Sequence, residues 1–143
     1  MSVPQISVFL ESRPGHLRRI LDAFVEADIN VRGFSASDTG DYGVVRFIVD
    51  DANRANEVLK AMGCATAVSE VLCLRLPDRP GELARVMGII AERDLNVLYT
   101  YSLISTYIAV CVKDIPHAEE ILRDEPVELA DSKDIAARLD GIA

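Results

Sequence analysis

Apolar and polar positions change rhythm along this chain in a fixed order. Residues 5–11 alternate, with Ile6, Val8 and Leu10 on one side and Ser7, Phe9 and Glu11 on the other, the period of a strand with one apolar face. Arg13-Pro14-Gly15 breaks the alternation. Leu17, Ile20, Leu21, Phe24 and Val25 then fall at i, i+3, i+4, i+7 and i+8, which predicts a helix with one buried stripe, and Arg18, Arg19, Asp22 and Glu26 lie off it. Residues 29–38 read as extended, 39–43 carry the turn residues of a hairpin loop, and 44–49 form the return arm, an apolar run broken by Arg46. Asp50-Asp51 precedes a second helix over 52–62, with Ala55, Val58, Leu59 and Met62 inward and Gly63 as its stop. Residues 65–76 are a long extended stretch. Its first part reads as the closing strand of one unit and its second part, 71–76, as the opening strand of the next.

The same order then returns 66 positions later. Arg13-Pro14-Gly15-His16-Leu17 is answered by Arg79-Pro80-Gly81-Glu82-Leu83, and Asp28-Ile29-Asn30-Val31 by Asp94-Leu95-Asn96-Val97. Leu83, Val86, Met87 and Ile90 repeat the helical stripe. Residues 96–103 and 107–112 repeat the hairpin around Ser105-Thr106, a helix starts near Pro116 behind Asp114, and 127–129 form a brief last strand. Asp131-Ser132 then caps an extra helix, with Ile135, Ala136 and Leu139 on one side, predicted to cover an edge or a neighbouring face.

A strand-helix-strand-strand-helix-strand order with right-handed crossovers makes a four-stranded antiparallel sheet with both helices on one face, the ferredoxin-like arrangement. The expected fold class is therefore α+β, two such modules over residues 1–69 and 70–143, the second carrying the extra C-terminal helix. Half of a 143-residue chain buries only a modest core by itself, so the modules are expected to pack together, edge to edge within the chain or sheet to sheet in a dimer.

Composition narrows the function classes. Half the residues are apolar and 27% charged, as in an ordinary globular chain. A net charge of −8 argues against a nucleic-acid-binding surface. No apolar run approaches membrane length and the N-terminus lacks a signal-peptide pattern, so a soluble, cytoplasmic protein with no membrane partner is expected. Cys64, Cys73 and Cys111, an odd number without Cys-x-x-Cys spacing, fit reduced thiols better than disulfides, and with only His16 and His117 beside them no metal site is expected. No nucleophile–base pair or phosphate-cradling glycine loop stands out. The expectation is a binding module, with no catalytic residues and no cofactor.

Chemistry is best sought at the two turns. A Pro-Gly turn feeding a helix leaves the first-turn N–H groups without intrahelical partners, and with the helix dipole they favour an anion. A ligand carboxylate thus suits Gly15-His16-Leu17 or Gly81-Glu82-Leu83. An ammonium group needs an opposite charge or oxygen acceptors, for which Asp78 and Asn96 are the candidates in the second copy and Ser12 and Asn30 in the first. Each has a plainer reading. Asp78 can be a helix cap, Asn30 and Asn96 can satisfy local backbone, and His16 can be solvated, as its replacement by Glu82 in the second copy suggests. Arg13 and Arg79 can be surface charges. Tyr99, Tyr101 and Tyr107 read either as a packed sheet face with hydroxyls at the rim or as a binding cluster.

A short apolar strand, then Asp-x-Pro-Gly-x-Leu opening a helix, then an Asn-Ile/Val pair about fifteen residues on, resembles the ACT domain family. The second copy carries the pattern through Asp78, Pro80, Gly81, Leu83, Asn96 and Val97, and the first through Pro14, Gly15, Leu17, Asn30 and Val31, with Ser12 standing where the family usually has Asp. The resemblance covers nearly the whole chain apart from the final helix. It implies a stand-alone tandem that senses a small molecule, typically an amino acid, where two modules meet, that forms a homodimer and that acts on a metabolic enzyme or regulator. The alternative it leaves open is a dimerisation or partner-docking module without a ligand.

Overall fold

A computed structural model describes residues 2–11, 13–38 and 40–137. The first unit comprises β1 (Val3–Glu11), α1 (His16–Glu26), β2 (Val31–Asp38), β3 (Tyr42–Val49) and α2 (Ala52–Ala61). The chain continues through β4 (Ala65–Arg75), α3 (Glu82–Glu92), β5 (Val97–Ser102), β6 (Tyr107–Val112), α4 (Ile115–Arg123), β7 (Glu128–Ala130) and α5 (Ser132–Ala136). The strands form one antiparallel sheet in the order β2-β3-β1-β4-β6-β5, with β7 also beside β4.

The extended stretch predicted to serve two units is one uninterrupted strand. β4 pairs with β1 from Ala65 to Val71, then with β6 from Leu72 and with β7 from Cys73. The two halves thus read β4-β1-β3-β2 and β7-β4-β6-β5, each a ferredoxin-like four-stranded sheet, and they share β4. Because side chains alternate along a strand, this continuity fixes the relative facing of the halves. Leu72 and Leu74 join the core under α3 and α4, while Val71 and Cys73 point to the opposite face.

Three cores result. Under α1 and α2, Ile6, Val8, Ile20, Phe47 and Leu59 surround Phe24, whose ring meets Phe47 edge-on at 5.2 Å. Under α3 and α4, Leu72, Leu74, Val86, Ile90, Val110 and Leu122 do the same. On the inner face Val3, Ile48, Val71, Cys73, Leu103 and Ile135 form a third. Each fully buried aliphatic or aromatic side chain is worth about 1.5–3 kcal/mol of transfer free energy, so the third core is a substantial bond between the halves.

The Asp-x-Asn-Val repeat proves to be a helix stop. Asp28 and Asp94 take φ of 56° and 57°, and their N–H groups donate to Val25 and Ala91. Ile29 and Leu95 donate to Phe24 and Ile90, five residues back, which completes a Schellman motif at each helix C-terminus. Asp51 caps α2 by accepting from the Arg54 N–H. Asp50 instead ties β3 to the start of β2, accepting from the Asn30 N–H at 3.0 Å and donating to its carbonyl at 3.1 Å.

One expectation changes. In the α1 stripe Ile20 and Phe24 are buried, but Leu21 is 37% and Val25 76% exposed, because the single sheet layer beneath covers only one row of the helix. The extra helix does cover a face: Ile135 is buried in the third core. It is also tied down by buried Arg32, which donates from Nε to the Ile135 carbonyl at 2.7 Å and from Nη2 to the Ala137 carbonyl at 2.9 Å. Leu139, predicted on the same stripe, lies outside the described residues.

The sheet also curls until its outer strands touch. Gly33 of β2 bridges Leu103 just beyond β5, and the Ile104 N–H donates to the Arg32 carbonyl at 2.7 Å. A side chain at Gly33 would lie on top of Leu103, with its Cβ 3.3 Å from the Leu103 Cα. Gly33→Ala should therefore lower stability by about 1–3 kcal/mol through overpacking. Gly88→Ala, inside α3 with open space around it, should raise stability by up to about 1 kcal/mol. Urea titration of the two variants checks the contrast.

Candidate functional site

Both Pro-Gly turns open their helices in the same way. Gly15 and Gly81 stand at the N-caps of α1 and α3 with φ of 86° and 89°, a left-handed conformation that glycine adopts without strain, and among the described residues no side chain caps either helix. Asp78 is thus not the helix cap that one reading allowed; it is exposed at the mouth of the second turn.

The turns differ in charge. At the first, the Arg13 guanidinium, which can only donate, gives a 2.7 Å hydrogen bond to His16 Nε2. His16 Nδ1 must then carry the proton, and it donates to the Glu11 carbonyl at 3.0 Å. His16 is therefore braced rather than merely solvated. Arg13 also pairs with Glu11 at 3.3 Å. At the second turn the carboxylate of Glu82 is only 14% exposed and lies within 2.9–3.6 Å of both Arg85 and Arg79. It already occupies the positive end of α3, the position a ligand anion would favour.

Three depressions follow from this geometry. One of about 390 Å³ runs from Glu11, Arg13, Pro14, His16 and Leu17 to Ala36, Ser37 and Asp38. Another of about 360 Å³ lies among Pro77, Asp78, Arg79, Gly81 and Leu83 and, facing them, Ser102 and Ser105. Between them, where the curled sheet closes, a cavity of about 430 Å³ is lined by α1, β2, Phe47 and residues 102–104. Leu17 lines both the first depression and this cavity, and Ser102 lines both the cavity and the second depression.

The candidate residues are brought together unevenly. Pro14, His16 and Leu17 share one wall, Asp78, Gly81 and Leu83 another, and Val31 lines the central cavity. Gly15 and Pro80 are exposed at the crests of their turns, and Glu82 is held by its arginines. Asn30, Asn96 and Val97 line none of the three depressions: the Asn30 backbone is committed to Asp50, and Asn96 is exposed. Ser12 lies outside the described residues.

The tyrosines belong to a different construction. On the inner face fully buried Gln5 donates from Nε2 to the Tyr99 hydroxyl at 2.6 Å and to Ser69 Oγ at 3.3 Å, and it accepts at Oε1 from the Tyr101 hydroxyl at 2.6 Å. The two rings stack 6.4 Å apart, and the Arg46 guanidinium lies 4.1 Å from the centre of the Tyr99 ring. Burial raises the Tyr101 phenol pKa, with Tyr99 adding to the effect, and burial followed by a hydrogen bond with Cys111 raises that of Tyr99. Burial likewise pushes the Cys73 thiol up to about 12. These hydroxyls bond to the chain itself, and the network joins β1 of one half to β5 of the other. In sequence, Gln5 is one polar position on a strand, and only its location on the inward parity could have singled it out. Among the described residues no cluster of His, Cys, Asp or Glu could hold a metal, and no helix is long and apolar enough to cross a membrane.

Two four-stranded modules joined through one strand, each opening its first helix on a left-handed glycine, define a tandem of small α+β domains. The chain belongs to the ACT domain pair family, whose model matches residues 1–139. It is similar in structure to protein BT0572 from Bacteroides thetaiotaomicron, with a TM-score of 0.90 and 26% identity over 96% of this chain and 98% of that one. It also shares its fold with the ligand-free regulatory subunit of aspartate kinase from Thermus thermophilus, with a TM-score of 0.63 and 20% identity over 84% and 87% of the two chains. The corresponding subunit from Thermus flavus gives a TM-score of 0.59, again at 20% identity, over 84% and 88%. No curated protein sequence matches the chain.

The tyrosine network gives a pH signature. Since folding raises the Tyr101 pKa, its contribution to stability is complete below the ordinary phenol value of 10.0 and is lost as pH rises above it. Tyr101→Phe should cost about 1–3 kcal/mol at neutral pH by leaving Gln5 Oε1 unpaired. Its melting temperature should also fall less steeply than the parent's above about pH 10. Thermal unfolding across that range measures both.

Proposed function

We propose that the chain is a regulatory module without catalytic activity that binds an amino acid or a similar small carboxylate where its two halves meet, and that it acts as a homodimer on a metabolic enzyme or regulator. In this reading residues 1–69 and 70–143 are the two modules. The observation that carries the proposal is the junction itself: two Pro-Gly turns with uncapped helix starts flank a cavity that each adjoins through a shared lining residue, Leu17 on one side and Ser102 on the other. The regulatory half of the proposal draws on the family and on the Thermus neighbours, which are regulatory subunits.

The first turn suits the ligand carboxylate better than the second. Glu82 already neutralises the start of α3, whereas the first turn of α1 carries no acidic residue and, among the described residues, Arg13 beside it is ion-paired only with exposed Glu11. A few backbone hydrogen bonds and one charge contact suffice for the micromolar to millimolar affinities a metabolite sensor needs, roughly 4–8 kcal/mol. A ligand seated there bridges the halves, and would shift the population toward the closed junction. A docking module without a ligand is the second reading, favoured by the exposure of Val25, Leu83 and Leu98.

A thermal-shift screen of the chain against the twenty amino acids, followed by calorimetry, tests the proposal. A ligand at a hundred times its Kd should stabilise the fold by about 2.7 kcal/mol, a rise of roughly 5–10 °C at this chain length. His16→Glu should weaken binding at least tenfold, and Asp78→Ala should weaken it less; the reverse order would assign the carboxylate to the second turn. No shift with any amino acid at millimolar concentration would favour docking.

A further inference from the structure

Resting on that reading, we infer that the cavity at the junction holds the ligand's side chain and selects an apolar one, aliphatic or aromatic, over polar and charged side chains. Among the described residues, every one that lines the cavity is apolar apart from Arg32, Gly33 and Ser102. Its volume of about 430 Å³ falls in the range of small-molecule sites, about 300–1,000 Å³.

The charge that sequence would assign to this wall is committed elsewhere. The Arg32 guanidinium is buried and donates to the Ile135 carbonyl of α5 and to that of Ala137 just past its end, and its own carbonyl accepts from the Ile104 N–H. A carboxylate or ammonium on the ligand's side chain would therefore lose its water and meet no partner in the cavity. Among the described residues the Ser102 hydroxyl is the one polar side chain left at the rim, on the side of the second turn.

The mouth is apolar too. Leu21 of α1 is 37% exposed, Phe34 of β2 58% and Ile104 38%, and a ligand's apolar body would cover them. Leu17 lines both this cavity and the first turn, so a ligand with its carboxylate at the turn amides has its side chain directed here. In such a pocket each methylene changes affinity by roughly 10–200-fold, so Leu21, Phe34 and Ile104 are the specificity-determining residues.

Calorimetry of the full chain with all twenty amino acids tests this, using Leu21→Glu and Ile104→Glu as rim variants. Val25→Glu serves as the control, on the same helix as Leu21 but outside the cavity. Thermal unfolding without ligand establishes that each variant is folded. Leucine, isoleucine, methionine or phenylalanine should bind at least about tenfold tighter than serine, aspartate or lysine. Both rim variants should weaken that binding at least tenfold and the control should not. Tighter binding of a polar or charged amino acid, or apolar binding untouched by both rim variants, would overturn the inference while leaving the sensor reading intact. Binding of none of the twenty would overturn both.

Discussion

A single strand that belongs to two sheets is the constraint on which the rest of this molecule depends. β4 gives its first seven residues to β1 and its last four to β6, with β7 along its other edge. Strand side chains alternate, so continuity through Val71 and Leu72 puts the helices of both halves on the same face and turns both bare faces inward. A slip of one residue on either side would exchange the occupants of the helix-side and inner cores, burying Val71 and Cys73 where Leu72 and Leu74 now pack. Separating the two modules would break the Ile104–Arg32 backbone hydrogen bond and the Gln5–Tyr99 and Gln5–Tyr101 bonds and would open the third core.

The curl that follows brings β2 back to Leu103, and this closure makes two chemically different places. Inside it, Gln5 pairs with the Tyr99 and Tyr101 hydroxyls, and the Arg46 guanidinium lies over the Tyr99 ring with its buried Nε unpartnered among the described residues. Such a network is stable only when nearly complete, and it specifies how the halves meet. At the rim, the approach of Gly33 to Leu103 leaves an apolar cavity with a helix start on either side. Arg32 connects the two ends of the arrangement: its backbone holds Ile104 at the cavity, and its side chain holds α5. Arg32 is thus in contact with both the cavity wall and α5.

Much of this was legible in the chain, because local chemistry writes it there. The 66-residue spacing, the Pro-Gly turns and the period-2 and period-3.6 stretches located the strands and helices and the doubling of the module. The Asp-x-Asn-Val repeat was visible as a motif, but its physical role as a Schellman stop emerged only from the φ angles of Asp28 and Asp94. What stayed hidden depends on pairs far apart in the chain. Gln5 meets Tyr101 across 96 positions and Arg32 meets Ile135 across 103, and no local period reports such contacts. Val25 read as buried because the helical stripe is a property of the helix, whereas the width of the sheet beneath it is not. The turns were singled out as candidates, but the cavity between them requires the curl, which only tertiary closure creates.

The most direct test is a methyl NMR titration of the full chain with leucine, isoleucine, methionine or phenylalanine. The largest saturable shifts should fall at Leu17, Leu21, Val31, Leu103 and Ile104, which line the cavity. Shifts centred away from the junction, for example around Ile115 on the far side of the second module, or no saturable shift with any of the four, would contradict it.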